Sequence, residues 1–333
     1  GGYVAKDGRG TWEEDDFRQG LGRYICFMEK ALVLGAAGQI GTELVAALRA
    51  ELGHENVVAT DLHPEKLEAP CFALNAMDGE ALRALVIEHE ITQVYHLVAM
   101  LSATGEKMPE KAWDLNMTTL FHVLNLAKEG LLKRVFWPSS IAAFGPNTPA
   151  LDTPQYSPMD PSTVYGISKL AGELWCQYYH EKFGVDVRSL RYPGLISWKT
   201  LPGGGTTDYA IDIFHAARRE NAYTSFLGAD TRLPMMHMDD AIRATLKLMH
   251  APTECVKVRT SYNVSGVDFT PSELADSMRR HYPTLSMDYA PDFRQAIAAS
   301  WPQRMDDAQA RADWGWTPRY SLDAMVDDMV AHI

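Results

Sequence analysis

The chain has few of the features that would tie it to a membrane, a nucleic acid or an oxidising compartment. Its four cysteines, Cys26, Cys71, Cys176 and Cys255, form no C-x-x-C pair. That excludes a disulfide framework and a structural zinc site, and it fits a reduced, cytoplasmic setting. Positive charge is scarce, with 31 Lys and Arg against 43 Asp and Glu and a formal net charge of −12. Nucleic acid and anionic membrane surfaces both require a basic footprint, so neither is expected as a partner. No apolar run reaches the roughly 18–20 residues that cross a bilayer. Repeats and low-complexity segments are also missing.

What remains is an ordinary globular composition, 46% hydrophobic and 22% charged over 333 residues. That length suits one large α/β unit or a main domain with a smaller lobe. Residues 1–27 stand apart. They are Gly-rich and acidic ("TWEEDDF"), match neither a secretory nor a mitochondrial leader, and read as an extension upstream of Met28 with no assigned role. From residue 28 short apolar runs alternate with helical spacing. "KALVLGAA" (30–37), "NVVATD" (56–61), "TQVYHLVAM" (92–100), "KRVFWPSS" (133–140) and "VDVRSLRYPG" (185–194) read as buried strands. Helices fall between them at 40–52, 79–90, 113–130 and 163–184. The expected fold is α/β, a Rossmann-type doubly wound parallel sheet over 28–194. Residues 195–333 then form mainly a smaller substrate-binding lobe, with segments near 235–247 and 261–266 returning to the sheet domain.

The first strand runs into "GAAGQIG", with Gly35, Gly38 and Gly41 between strand and helix. Such a turn lets backbone N–H groups, here also those of Gln39 and Ile40, approach a pyrophosphate at a helix N-terminus. The spacing is G-x-x-G-x-x-G, and the strand–turn–helix context gives it meaning. Asp61 ends the second strand, where a carboxylate accepts from the adenosine ribose hydroxyls and repels a 2′-phosphate. No Arg or Lys follows at once ("TDLHPEK"), so NAD is expected rather than NADP.

Tyr165 and Lys169, in "PSTVYGISKL", share a helix face at i and i+4. Oxidising an alcohol requires a base for the hydroxyl proton as hydride leaves for the nicotinamide. A tyrosine near its reference pKa of about 10 serves poorly. A neighbouring ammonium, together with the cationic nicotinamide, is expected to lower that value. Lys169 is also placed to bind the cofactor ribose. A serine at a strand's carboxyl end would orient the substrate oxygen. "PSSIAAFG" (138–145) offers Ser140, with Ser139 as the alternative.

In their order and spacing "GAAGQIG", "SSIAAFG" and "YGISK" resemble the extended short-chain dehydrogenase/reductase superfamily, which includes the nucleotide-sugar epimerases. The resemblance spans about 28–333. It implies a catalytic set of Ser140, Tyr165 and Lys169, and a cofactor passing Leu97, Ala99, Tyr192, Pro193 and Ile196. Asn116 falls where the family often has a relay or structural asparagine; helix packing is the other reading. Four further segments, "LSATGEK" (101–107), "LRYPGLISWKTLPGGGTTDYAIDIF" (190–214), "MMHMDDAIRATL" (235–246) and "SWPQRMDDAQARADWGW" (300–316), resemble short-chain-type L-threonine 3-dehydrogenases. That resemblance implies NAD-dependent oxidation of the threonine 3-hydroxyl, and pairing of two chains through long helices near 108–129 and 162–183. Leu170, Leu174 and Tyr178 are compatible with such an interface and equally with packing on the sheet.

A small zwitterion also requires hydroxyl donors, which Ser102, Thr206 or Thr207 would supply, and Trp301 to close the pocket. "GGG" as a plain hinge and Trp301 as an anchor between lobes are the competing readings. His237, between methionines, reads as a structural histidine, and no ordered His, Cys and carboxylate set suggests a zinc site. A nucleotide-sugar epimerase is the rival function, with Arg191, Arg232 and Arg304 available for a diphosphate. A non-catalytic NAD sensor is the third reading; such proteins typically lose the Tyr or the Lys, and both are present here.

Overall fold

The computed structural model describes residues 29–201 and 203–333; the extension at 1–27 lies outside the described residues. Among the described residues the first element is the fully buried run Ala31–Leu34 (β1), whose apolar side chains face helices on both sides of the sheet. Helix Gln39–Leu52 (α1) and strands Val57–Asp61 (β2) and Cys71–Ala73 (β3) follow. Next come helix Gly79–Glu88 (α2), strand Gln93–His96 (β4), the single turn Ser102–Gly105 (α3) and the long helix Pro109–Lys128 (α4). Strands Arg134–Phe136 (β5) and Ser139–Ser140 (β6) lead to helix Val164–Phe183 (α5). Thr163 caps α5 by accepting from the Gly166 N–H, and Gly184, at φ 70°, ends it in the left-handed conformation.

The stretch 185–194, expected as one strand, is broken. Val187–Arg188 (β7), Leu190–Tyr192 (β8) and Gly194–Ile196 (β9) belong to three successive sheets. β7 completes a parallel sheet in the order β3-β2-β1-β4-β5-β7. β6 and β8 continue β5 and β7 beyond Pro138 and Ser189, with Ser140 opposite Tyr192. A proline cannot donate to a ladder, and Pro138 stands in the interruption between β5 and β6.

After helix Tyr209–Glu220 (α6) and strand Ala222–Ser225 (β10), the chain enters Leu233–His237 (β11) and helix Met238–His250 (α7). β11 pairs with β9, and Tyr262–Asn263 (β12) pairs with β8. The chain then forms Val267–Phe269 (β13), Pro271–Met278 (α8), Ser286–Tyr289 (β14), Phe293–Ala299 (α9), Ala308–Trp314 (α10) and Leu322–His332 (α11). β13 joins β11, and β14 joins β10. One core lies between the sheet and α1 and α7, a second under α2, α4 and α5, and a third fills the C-terminal lobe. Among the described residues no helix is long and apolar enough to cross a membrane.

Candidate active site

A cleft of about 610 Å³ opens at the carboxyl ends of β1, β4, β6 and β8 and runs to the lobe segment 200–208. Its cofactor end is the glycine turn. The first turn of α1 holds no acidic residue and presents its N–H groups and positive dipole end to the cleft. Gly41 is dictated by crowding. A Cβ there would lie 2.5 Å from the Gly35 carbonyl oxygen, so a side chain would force the turn open. Asp61 fixes the turn from β2, accepting from the Ala37 N–H at 3.1 Å and the His63 N–H at 3.2 Å. Gln39 Nε2 is buried there with no protein partner. An orphaned donor beside a helix N-terminus is what a dinucleotide phosphate would satisfy, so the residues present fit the cofactor.

The reacting end is built by α5 lying on the segment that follows β6. A Cβ at Gly166 would stand 2.1 Å from the Ala142 carbonyl oxygen, so only glycine permits this approach. The approach brings the Tyr165 hydroxyl within hydrogen-bonding reach of Ser140. Ser140 Oγ also accepts from the Ala142 N–H at 3.1 Å. Ser139 is committed elsewhere. Its Oγ donates to Glu173 at 2.5 Å, within a buried ion pair that Arg191 completes at 2.9 and 2.7 Å. Of the two serines it is Ser140 that meets the tyrosine.

Lys169 is buried. It donates to the Pro138 carbonyl at 2.6 Å, and Nζ lies 4.5 Å from the Trp137 ring centre and 5.4 Å from that of Tyr165. Burial pulls its ammonium down to about 7, opposed by Cys176 and Glu173. Burial pushes the Tyr165 phenol up to about 12, and the hydrogen bond with Ser140 works against that rise. Helical spacing predicts the lysine beside the phenol but contains no information on desolvation.

Asn116 holds the opposite wall. Its amide accepts from the Met100 N–H at 2.8 Å and donates to Ser168 at 3.1 Å, tying α4 to the cleft segment after β4 and to α5. Leu97, Ala99, Tyr192, Pro193 and Trp301 all line the cleft, and Trp301 is also part of the lobe core. Ile196 does not: it is 1% exposed and packs into the lobe, and Gly194 and Leu195 face the cleft from that strand. Asp61 lies beyond the lining, at the far end of the glycine turn.

At the lobe end Ser102 Oγ and Thr206 Oγ1 meet at 3.2 Å, both buried, with Thr207 beside them. Asp208, which sequence reasoning passed over, lines the same pocket. It accepts from the Gly204 and Gly205 N–H groups at 2.9 and 2.6 Å, and burial nonetheless raises its carboxyl to about 6. An acid directly after "GGGTT" was the available signal. Arg191, Arg232 and Arg304 lie outside the lining and are ion-paired, with Glu173, with Asp268 and Glu273, and with Asp152. His237 is structural: it is buried, stacked on Tyr320 and bonded to Asp328. No cluster of metal ligands occurs among the described residues. A larger, shallower groove between α1 and α7 is bordered by the ion pairs Lys199–Glu43 and His250–Glu51 and holds none of this chemistry.

Comparison with known proteins agrees with this geometry. An uncharacterized epimerase/dehydratase of Staphylococcus haemolyticus is 46% identical over 312 residues, covering 92% of this chain and 98% of that protein. A solved GalE-like L-threonine dehydrogenase from Cupriavidus necator, in its holo form, is 57% identical with a TM-score of 0.89, covering 91% of this chain and 99% of that one. A monomeric L-threonine 3-dehydrogenase from a metagenome is 46% identical with a TM-score of 0.88, covering 90% of this chain and 97% of that one. Residues 31–265 match the family model, and the chain belongs to the NAD dependent epimerase/dehydratase family.

Proposed function

We propose that the protein is an NAD-dependent L-threonine 3-dehydrogenase of the short-chain, zinc-independent type. The observation that carries this reading is one cleft lined by Tyr165 and Ser140 together with the polar side chains of Ser102, Thr206, Thr207 and Asp208. Near-full-length likeness to solved threonine dehydrogenases supports it. The bound dinucleotide supplies the hydride acceptor. Ser140 orients the threonine 3-hydroxyl, and Tyr165 takes its proton as the C3 hydride departs, leaving 2-amino-3-ketobutyrate. The hydroxyls of Ser102, Thr206 and Thr207 receive the substrate carboxylate, Asp208 balances its ammonium, and Trp301 covers the pocket. The glycine turn, Asp61, Leu97, Ala99, Tyr192 and Pro193 would hold the cofactor, and Lys169 would bind its ribose.

Residues 28–194 form the NAD-binding part in this reading, and 195–333 mainly the substrate lobe. The enzyme works in the cytoplasm on a small-molecule substrate. It pairs as a homodimer through α4 and α5, where Trp113, Leu174, Trp175 and Tyr178 are exposed. Sedimentation against the monomeric relative tests the pairing. NADH formation screened over L-threonine, L-serine, 3-hydroxybutyrate and a UDP-sugar tests the function. Turnover of threonine alone is expected, and a preference for the UDP-sugar overturns it.

A further inference from the structure

Glu43 has no part in the reading so far. It lies on α1 just past Gly41, yet its side chain is buried, at 6% exposure. Its Oε1 accepts from Ser197 Oγ, and its Oε2 takes the Lys199 ammonium at 3.2 Å. Ser197 Oγ in turn accepts from the Lys199 N–H at 3.1 Å, closing a small ring of bonds. A buried carboxylate is tolerated only when partnered, and these partners come from one turn at the start of segment 197–208. That segment carries Thr206, Thr207 and Asp208. On its other side the Trp198 ring stacks on His332 of α11 at 4.3 Å. The helix that begins at the dinucleotide cradle and the segment that lines the substrate pocket are therefore clasped together at Glu43.

We propose that Glu43 is a positioning residue for the substrate wall: from the cofactor helix it pins the start of segment 197–208 and so sets Thr206 and Thr207 against Ser102. The inference rests on the function proposed above for its kinetic readout but not for its structural one.

The test uses the full chain with Glu43→Ala, Glu43→Gln and Ser197→Ala. It measures the NAD dissociation constant, KM and kcat for L-threonine, and amide hydrogen exchange of 199–208 against that of 35–41. Glu43→Ala is expected to raise KM for threonine about tenfold, the loss appropriate to a hydrogen bond with a charged group. Exchange in 199–208 accelerates, while NAD affinity and exchange in 35–41 stay within about twofold of wild type. Glu43→Gln recovers most of KM, because its amide oxygen still accepts from Ser197 and the half-exposed Lys199 pair adds little.

Wild-type KM and exchange in a folded Glu43→Ala protein would overturn the proposal. So would NAD affinity and whole-fold exchange changing as much as KM, since that marks a general structural role. Should Glu43→Ala not fold, Ser197→Ala removes the buried half of the clasp and is judged by the same two outcomes. If wild type leaves threonine unoxidised, the function proposed above fails, and the exchange experiment still decides the role of Glu43.

Discussion

Replacing Tyr165 by Phe removes a single oxygen from the site and leaves most else in place. The ring keeps its packing against the lobe core and its distance from Lys169, and the hydroxyl's hydrogen-bond partner is Ser140. Loss of that bond costs about 1 kcal/mol of stability, a fall in Tm of no more than about 2–4 °C. Loss of a general base costs far more in rate, typically a factor of roughly 10²–10⁴, or about 3–5 kcal/mol of transition-state stabilisation. The two magnitudes differ enough to be told apart in one variant. Initial rates of NADH formation should fall at least a hundredfold in kcat. NAD binding, followed by fluorescence, should remain within about threefold of wild type, because the phenol is not part of the glycine-turn cradle. A folded Tyr165→Phe protein retaining kcat within about threefold would refute the assignment of the base, whatever its substrate.

Three further outcomes are expected. Because burial holds the Tyr165 phenol up at about 12, turnover should climb from about pH 7 to pH 10 without levelling off; a flat profile over that range excludes the phenol as the base. Glu173→Ala strands the buried Arg191 charge and should cost about 3–5 kcal/mol in urea denaturation, and a loss below about 1 kcal/mol would show that water reaches the arginine. Asp186 is raised by burial, but hydrogen bonds from Arg188 and Arg259 override this and hold its carboxyl well below the usual range. Since its folded pKa lies below the unfolded value near 4, the stability it contributes is present above about pH 4 and drains away as pH falls further. Asp186→Asn should therefore be less stable at neutral pH and show a shallower acid slope, checked by urea midpoints from about pH 6 to pH 2.

The parts legible in the sequence are those where one local stretch carries both the pattern and the chemistry. The β1–turn–α1 unit is marked by a buried apolar run ending in spaced glycines, and Tyr165 with Lys169 by a single helical turn. The pairing of the lobe's strands is not legible, because β9, β11 and β13 are short runs whose partners come from distant segments, and periodicity has no reach across such gaps. Nothing in the sequence sets Glu43 apart from a solvated helix glutamate, because its partners, Ser197 and Lys199, lie far along the chain. Asp208 stood in plain view after Thr207, but only burial distinguishes it from a helix-start aspartate. Ile196 lies off the cleft lining for a simpler reason. Alternation along a strand sends neighbours to opposite faces, and the cleft takes Leu195.

The passage from β8 through Pro193 to β9 bears on how the cleft closes. Tyr192 is registered against Ser140 and Gly194 against Met235, so the same short backbone is bonded to the catalytic strand on one side and to the lobe on the other. Pro193 alone separates the two ladders, so at this crossing relative movement of the two parts is confined to one residue whose φ the proline ring fixes.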